Sequence, residues 1–444
     1  MAKKNQTLQF APHLRTIRAV IEQLSSQTIQ AAERIADLAE PAMKEVGSSA
    51  VLADLLKRGG LEVSRPWKHI PTAFKAVAGS GRPVVGIMAE YDALPNCGQG
   101  EGQWGHGCGH NLLGAASALA GIAAAATLKK LGKGARIVVF GTPAEESLYG
   151  KVIMADAGAF FGLDAMLGWH PSSRTSANLG GGSAMDSIRL NFTGQTAHAA
   201  GEPHRGRSAL DAAILTEVAV NFLREHVEEN ARIHCVITDG GEAPNVVPEH
   251  AQIWYYVRGK DRRQVDQLRR RLLLCAKAGA LATETRLKVF IETSLTERVP
   301  NQALAGMLDG LLRRCGPPVF TAADRKAAQA ILPGKVFSDA LEPIKADQGR
   351  ASSDEDNVSW FAPLGKLDVA CVPKGSTYHH RDFARLIRTS GAHCGMLKAA
   401  EYLAAAAVEL VLNRPLLAAS QAEFKANRKG KEYNLPMNWP RRRK

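Results

Sequence analysis

The fold of this chain is constrained most by three short apolar runs with the pattern of β-strands. Each run is followed directly by residue types that bind metals. Residues 84–89 lead into a Glu-Tyr-Asp turn, 135–140 into Gly-Thr-Pro-Ala-Glu-Glu, and 165–168 into Trp-His-Pro. A glycine-rich loop and an apolar helix, 112–131, separate the first two runs. Strands that alternate with helices predict an α/β fold, here a mixed sheet covered by helices, and such sheets build their sites beyond the strand ends. We therefore expect these residues to meet in one site.

The middle of the chain has a different pattern, strand, helix, strand, strand, helix, strand. The predicted elements are 187–192, 209–227, 232–238, 251–257, 263–282 and 286–291. This order is typical of an α+β, ferredoxin-like domain with two helices on one face of an antiparallel sheet. The α/β pattern then returns, and 444 residues exceed what one ordinary core contains. We predict a discontinuous metal-binding catalytic domain, 1–182 and 298–444, interrupted by an inserted domain, 183–297.

Composition and charge argue against several classes of protein. Much of the net charge of +13 lies in the tail 425–444, which we expect to be solvated or disordered. No aromatic residues interleave with basic ones, so a nucleic-acid partner is not expected, although the positive field would attract an acidic substrate. The apolar runs 112–127 and 403–412 are too short to span a membrane, and the first residues carry no secretory signal. Seven scattered cysteines indicate reduced thiols and a cytoplasmic location.

Cys108 and His110 lie two residues apart in Gly-His-Gly-Cys-Gly-His-Asn, 105–111. A thiolate and an imidazole are good ligands for zinc and related ions, and the flanking glycines let both side chains reach one cavity. A turn that merely buries a cysteine and a histidine explains this motif equally well. A cysteine nucleophile is a third interpretation, but no base with an orienting partner is evident nearby.

Glu145 and Glu146 point in different directions from a loop, so one carboxylate can bind metal while the other serves as a general base. A pair of acids that opens a helix would look the same. His170, taken singly, is more often structural, but its place after the third strand favours a ligand. The pair His379 and His380 follows a later predicted strand, and we expect one of the two to be the last ligand.

His198, in Thr-Ala-His-Ala-Ala, lies in the inserted domain, where it could donate to a developing oxyanion from across a cleft. From the residues alone, a structural loop histidine is the safer interpretation. The run Gly98-x-Gly100-x-Gly102 does not predict a phosphate-binding loop, because it lacks the Lys-Ser/Thr ending.

Together these motifs resemble the metal-dependent amidohydrolases of the aminoacylase and carboxypeptidase G group of metallopeptidases. The resemblance extends over nearly the whole chain. The matching segments are 89–95, 105–111, 141–146, 168–171, 196–200, 206–212, 243–248 and 352–354.

The resemblance implies a site for two divalent metal ions, and zinc and manganese are both compatible with the mixed ligand set. The implied ligands are a bridging Cys108, His110, Glu146, His170 and His379. Glu145 would be the general base. The late histidine of the family precedes an aromatic residue by four positions, which selects His379 over His380. Asn111 stands where many relatives have Asp, so a supporting carboxylate role there would pass to Asp92 or Asp354.

The resemblance also implies that the inserted domain is a lid and dimer interface, with His198 and Asn245 reaching the active site of a partner subunit. The expected assembly is a homodimer or a hetero-oligomer with a homologous subunit. The implied reaction is hydrolysis of the amide bond of N-acyl or N-aroyl amino acids, with substrates like p-aminobenzoyl-glutamate favoured. Arg258 or Arg205 would hold the substrate carboxylate. A dipeptidase, an aryl-amine aminohydrolase and a non-catalytic binding protein are the alternatives.

Overall fold

The computed structural model describes residues 2–347, 349 and 351–437, with side chains from residue 13 onward. Within this part of the chain there are twelve α-helices and eleven β-strands. The helices are α1 (Ala2–Leu38), α2 (Val46–Arg58), α3 (His110–Lys130), α4 (Gly150–Asp156), α5 (Ala209–Arg224), α6 (Arg262–Ala282), α7 (Gln302–Cys315), α8 (Ala322–Ile331), α9 (Glu355–Val358), α10 (Arg381–Leu386), α11 (Ser390–Leu412) and α12 (Arg414–Arg428). The strands are β1 (Glu62–Ser64), β2 (Phe74–Gly79), β3 (Val84–Ala89), β4 (Arg136–Gly141), β5 (Ala165–Ser172), β6 (Ser176–Asn178), β7 (Ala184–Thr193), β8 (Arg232–Asp239), β9 (His250–Gly259), β10 (Arg286–Leu295) and β11 (Leu364–Ala370).

The described chain forms two compact units, each with its own apolar core. The first, residues 2–181, 299–347 and 357–431, is built on a seven-stranded sheet of order β1-β2-β4-β3-β5-β11-β6. The central strands β4, β3, β5 and β11 are parallel, whereas β2 and β6 run antiparallel to the strands beside them. The mixed sheet with helices is therefore confirmed.

Helix α3 is the core helix of the first unit and packs against the sheet, α1 and α11. Gly114 and Gly121 make this close packing possible, because a Cβ would lie 2.5 Å from the Glu90 carbonyl oxygen and 2.3 Å from Cγ2 of Val139. Helix α3 is long and apolar enough to cross a membrane, and so is the pair α11 and α12 if these two helices, bent by 95°, are counted as one span. The most apolar window of α3 is 89% buried within the protein, as in the core helix of a globular domain.

The second unit, mainly residues 182–298, is an α+β domain with an antiparallel sheet of order β10-β7-β9-β8. Helices α5 and α6 pack on each other and against β7 and β9. The chain order β7, α5, β8, β9, α6, β10 is the predicted ferredoxin-like arrangement. Strand β8 is an edge strand of this sheet.

A fully paired carboxylate lies in the core of the second unit. Asp186 on β7 is completely buried and accepts two hydrogen bonds from the Arg262 guanidinium, at 2.7 and 2.8 Å. Arg269 Nη1 and Ser294 Oγ each donate to it at 2.6 Å. Since both carboxylate oxygens of Asp186 have hydrogen-bond partners, the role of this cluster is structural.

Three details differ from the predicted elements. Strand β5 continues to Ser172, so His170 lies inside the strand near its carboxyl end rather than after it. The sequence pattern does not predict β1, β2 and β6; β1 and β6 are edge strands of three residues each, too short to carry a clear apolar alternation. The tail that we expected from 425 to be solvated or disordered begins in helix α12, which extends to Arg428 with Lys425 and Ala426 exposed, and 438–444 lie outside the described residues.

Candidate metal centre

The site lies where neighbouring parallel strands of the first unit end. Glu90 and Asp92 directly follow β3, and Glu145 and Glu146 follow β4. His170 lies near the end of β5. Because the carboxyl ends of these strands share one edge of the sheet, residues far apart in sequence meet there.

The predicted ligands converge on one position. Cys108, His110 and His170 place one ligand atom each within 4.8 Å of one another, and so do Cys108, Glu146 and His379. Sγ of Cys108 is 3.3 Å from Nε2 of His170, and Nε2 of His379 is 3.5 Å from Oε2 of Glu146. Cys108 belongs to both groups, which is the arrangement expected of a bridging ligand.

Hydrogen bonds on the far side of two rings determine which nitrogen faces the cluster. Nδ1 of His110 lies 2.8 Å from Oδ1 of Asp92, so its Nε2 is left for the cluster. Nδ1 of His170 lies 2.7 Å from the Pro171 carbonyl oxygen, which can only accept, so Nδ1 carries the proton and Nε2 faces Cys108. Metal-binding histidines are oriented in this way by carboxylates and carbonyls. Asp92 therefore supplies the supporting carboxylate that Asn111 lacks.

Of the two late histidines, His379 joins the cluster. His379 has a left-handed backbone, with φ 58°, and its N–H donates to the Gly107 carbonyl oxygen at 2.9 Å. His380 instead accepts from the Asp382 N–H at 3.2 Å through Nδ1 and caps the start of α10. The left-handed turn at His379 therefore separates a candidate ligand from a helix cap.

Two charged residues that sequence reasoning did not single out adjoin the cluster. Oε2 of Glu90 is 3.2 Å from Nε2 of His110, and its Oε1 is 2.7 Å from Nζ of Lys151, which is fully buried at the start of α4. Burial raises the pKa of Glu90, but the Lys151 ammonium and the His110 ring outweigh it and bring the pKa to about 2. The position of Glu90 directly after β3 is the signal that could have found it, whereas Lys151 gave none.

Burial dominates the protonation of the cluster. Together with neighbouring carboxylates it raises the pKa of Glu145, raises that of Glu146 to about 8, and raises that of the Cys108 thiol. For His110 burial acts to lower the pKa, but Asp92 and Glu90 raise it well above its ordinary value. The neighbouring cations therefore do not fully compensate the negative charge that the glutamates and the thiol would carry when ionised. A divalent cation would stabilise their ionised forms.

The donor atoms fit metal ions. Nε2 of His110 and Oε1 of Glu146 are buried, lie 3.9 Å apart, and make no hydrogen bond. Buried polar atoms without partners are rare and unfavourable in folded proteins. A thiolate, imidazoles and a carboxylate directed at one position form the donor set of zinc and similar transition metals. The cluster is therefore a candidate metal-binding site by its chemistry.

The other predicted site residues belong to the second unit. His198 is exposed, and its Nδ1 accepts from the amides of Ala200 and Gly201 at 3.2 and 3.0 Å. Its proton is therefore on Nε2, which can donate to a substrate oxygen. The Asn245 carbonyl oxygen accepts from Ala199 N at 3.0 Å, so the His198 and Asn245 loops are neighbours.

The two arginines considered for substrate binding differ in their surroundings. Arg258 is half-buried, and its Nη1 donates to Ser352 Oγ at 2.6 Å while the guanidinium lies over the Tyr256 ring. Arg205 is exposed and pairs with the equally exposed Glu202 at 3.3 Å. Neither arginine has a buried carboxylate partner among the described residues.

Comparisons with known proteins concern the second unit and the chain as a whole. Residues 182–284 match the family described as a peptidase dimerisation domain. Over 91% of this chain and 93% of the other protein, the sequence is 34% identical to one of the subunits of p-aminobenzoyl-glutamate hydrolase from Escherichia coli (strain K12). It is 29% identical to an Xaa-Arg dipeptidase of Mus musculus over 81% of this chain and 79% of that protein.

The fold of the chain is also similar to that of a solved structure. It is a dinuclear metal-binding peptidase of the M20 family from Bacillus subtilis, with a TM-score of 0.59 and 17% sequence identity. The match covers 87% of this chain and 99% of that one. At this identity the match concerns the fold alone.

Proposed function

The chain belongs to the M20 family of metallopeptidases and is an amide hydrolase, and from this premise we propose that it cleaves the amide bond of N-acyl or N-aroyl amino acids. The favoured substrate is p-aminobenzoyl-glutamate, because that compound is in the name of the relative that is similar over nearly the whole chain. The observation that carries the proposal is that the five predicted ligands form two adjoining groups that share Cys108, with Glu145 beside them.

The proposed cofactors are two divalent ions, zinc or manganese, which when bound supply Lewis-acid activation of the amide carbonyl and of water. Cys108 would be shared between the two positions. His110 and His170 would complete one ligand group, and Glu146 and His379 the other.

Glu145 is the proposed general base. Its carboxylate lies 4.0 Å from Nε2 of His110 and groups with Glu90 and His110, apart from Cys108. Burial, with the Glu90 charge, raises the pKa of Glu145 and so brings it closer to the range in which a carboxylate can both take up and release a proton. Glu145 would accept the proton of the attacking water and deliver it to the leaving nitrogen.

We propose that the second unit mediates dimerisation with a second copy of this chain, a homologous subunit being the alternative. Besides the match to a dimerisation domain, the support is an exposed apolar surface on α5 and the edge strand β8. Its members are Ile214, Leu215, Val218, Phe222, Val236 and Ile237. Apolar surface on this scale marks interaction sites, and an unpaired edge strand can pair with another.

Across such a dimer, His198 would donate its Nε2 proton to the developing oxyanion, and Asn245 would support it. Arg258 or Arg205 would hold the substrate carboxylate, and the one responsible would raise KM when replaced. A cytoplasmic location is supported by the seven cysteines, all of them described and none in a disulfide.

The test combines metal analysis with hydrolysis. Mass spectrometry of the purified protein should find close to two ions per chain, lost or halved in Cys108→Ala. The metal-loaded protein should release glutamate from p-aminobenzoyl-glutamate faster than it cleaves Xaa-Arg dipeptides. Preference for the dipeptides would make it a dipeptidase. If the protein neither binds metal nor hydrolyses these substrates, the proposal is contradicted and the binding-protein alternative remains.

A further inference from the structure

The turn between β4 and α4, which carries Glu145 and Glu146, is strained. Ala144 and Leu148 have φ 59° and 61°, in the left-handed region that residues with a Cβ rarely adopt. Neither residue is the glycine or asparagine that usually relieves such a position. Strained backbone of this kind persists only where the surroundings hold it.

Within the turn, the Leu148 amide donates to the Glu145 carbonyl oxygen at 2.7 Å. Three further amide hydrogen bonds, one at every second residue, tie the turn to groups outside it. They are Thr142 N to the Ala89 carbonyl oxygen at 2.8 Å, Ala144 N to Oε1 of Glu45 at 2.8 Å, and Glu146 N to Oδ2 of Asp92 at 2.9 Å. Two of the three acceptors are buried carboxylates. Of these three bonds to groups outside the turn, the Glu45 bond is the one made at a left-handed residue, immediately before Glu145.

The side chain of Glu45 is directed at this turn rather than at its own helix. It is completely buried at the start of α2, yet it makes no capping bond there. The amides of Gly47 and Ser48 are instead capped by Glu40, at 2.9 and 2.7 Å. The second oxygen of Glu45 has no hydrogen-bond partner. A buried acid that neither caps its helix nor pairs with a cation is unfavourable, so the hydrogen bond that it accepts from the Ala144 amide at 2.8 Å needs a reason.

We propose that Glu45 is a positioning residue for the reaction: by accepting from the Ala144 amide it keeps this strained residue left-handed, and so sets the direction of the Glu145 carboxylate. The role is one of hydrogen-bond acceptance rather than charge, since burial and the nearby Asp92 raise the pKa of Glu45 to about 7 and a neutral carboxyl still accepts through its carbonyl oxygen. The effect on turnover rests on the proposed function; the effect on the turn does not.

Nearly isosteric substitutions separate acceptance from volume and charge. Glu45→Gln keeps the acceptor, whereas Glu45→Met fills the same space without one. We expect kcat for p-aminobenzoyl-glutamate to fall about 10- to 100-fold in Glu45→Met, with KM within about threefold, because small displacements of a catalytic group have effects of this size. Glu45→Gln should stay within about threefold of wild type. The matched control is Ser49→Ala, which removes a buried hydroxyl of α2 that bonds Val46 and Arg65.

Amide hydrogen exchange of the metal-free protein tests the turn without activity. A peptide spanning 142–149 should exchange faster in Glu45→Met and as in wild type in Glu45→Gln and Ser49→Ala. If the wild type hydrolyses no amide, the proposed function fails while this measurement still decides the role of Glu45. Unchanged exchange in Glu45→Met, or an equal loss of kcat in the Gln and Met variants, would overturn the inference.

Ala144→Gly adds a test of strain. Glycine adopts φ 59° without a Cβ clash, so Ala144→Gly should recover part of the turnover lost in Glu45→Met. An equal loss from Glu45→Met with and without Ala144→Gly would show that strain plays no part and would overturn the inference.

Discussion

Each unit of the protein buries a group of charged side chains, and the two groups are built in opposite ways. In the second unit, one carboxylate, Asp186, is surrounded by Arg262, Arg269 and the Ser294 hydroxyl, so each oxygen accepts at least one short hydrogen bond. In the first unit, three glutamates, a thiol and three imidazoles crowd together, and one buried atom each of His110 and Glu146 makes no hydrogen bond.

The difference distinguishes structure from function. Burial of charge is tolerated when the hydrogen bonds of the charge are complete, which is the case at Asp186. Incomplete bonding at a buried site must be compensated by something else, and the donor types at Cys108 and His170 indicate divalent metal ions. Metal-binding side chains with incomplete hydrogen bonding, rather than buried charge as such, therefore mark the candidate functional site.

The largest expected effect is on turnover. Glu145→Gln removes the proposed base while keeping the shape of the side chain, so kcat should fall about 10³- to 10⁴-fold with metal content unchanged. Steady-state kinetics and mass spectrometry on the same preparation measure both quantities. Retained activity would refute the base assignment, and loss of metal would place Glu145 among the ligands.

Disrupting the fully hydrogen-bonded Asp186 cluster should instead lower the stability of the fold. Asp186→Ala leaves the Arg262 charge buried without its partner, and the free energy of unfolding should fall by about 3–5 kcal/mol. Urea unfolding measures this, with Asp309→Ala at the exposed Arg313 pair as a control expected to change it by about 0.5 kcal/mol or less. Metal content per folded chain should not change. A metal loss as large as the stability loss would mean that the two groups are not independent.

Removing metal should destabilise the protein through the first group only. Chelation should lower the free energy of unfolding by about 2.7 kcal/mol if free metal had been present at 100 times its Kd. The effects of chelation and of Asp186→Ala should add to within about 0.5 kcal/mol, because the two groups share no partner. Strong non-additivity in urea unfolding would contradict this independence.

The smallest expected effect concerns His380, the residue next to the last candidate metal ligand. His380 caps α10 and is exposed, so His380→Ala should lower the free energy of unfolding by about 1 kcal/mol or less, with metal content unchanged. His379→Ala, one residue away, should reduce the metal bound per chain. Equal metal loss in both variants would show that the left-handed turn at His379 does not separate a ligand from a cap.

The residues that could be predicted from sequence are those whose type and local position carry the signal. Cys108, Glu146 and His170 follow strand-like runs and have ligand chemistry, so both their meeting place and their chemistry could be inferred. Glu45 and Lys151 could not, because a glutamate before a helix and a lysine inside one look like ordinary surface residues. Glu45 meets Ala144 99 residues further along the chain, and Lys151 meets the distant Glu90, so no local pattern encodes their burial.

The topology of the first unit also has a consequence for how the protein is made. Strand β11 lies between β5 and β6, yet 185 residues separate the end of β6 from the start of β11. At translation rates of about 5–20 residues per second, that gap remains open for roughly 10–40 s on the ribosome. During this time the second unit emerges completely and can fold, while the strand that completes the outer sheet has not been synthesised. The nascent chain therefore has an unpaired edge at β5 until β11 is synthesised, and such an edge can pair with another strand.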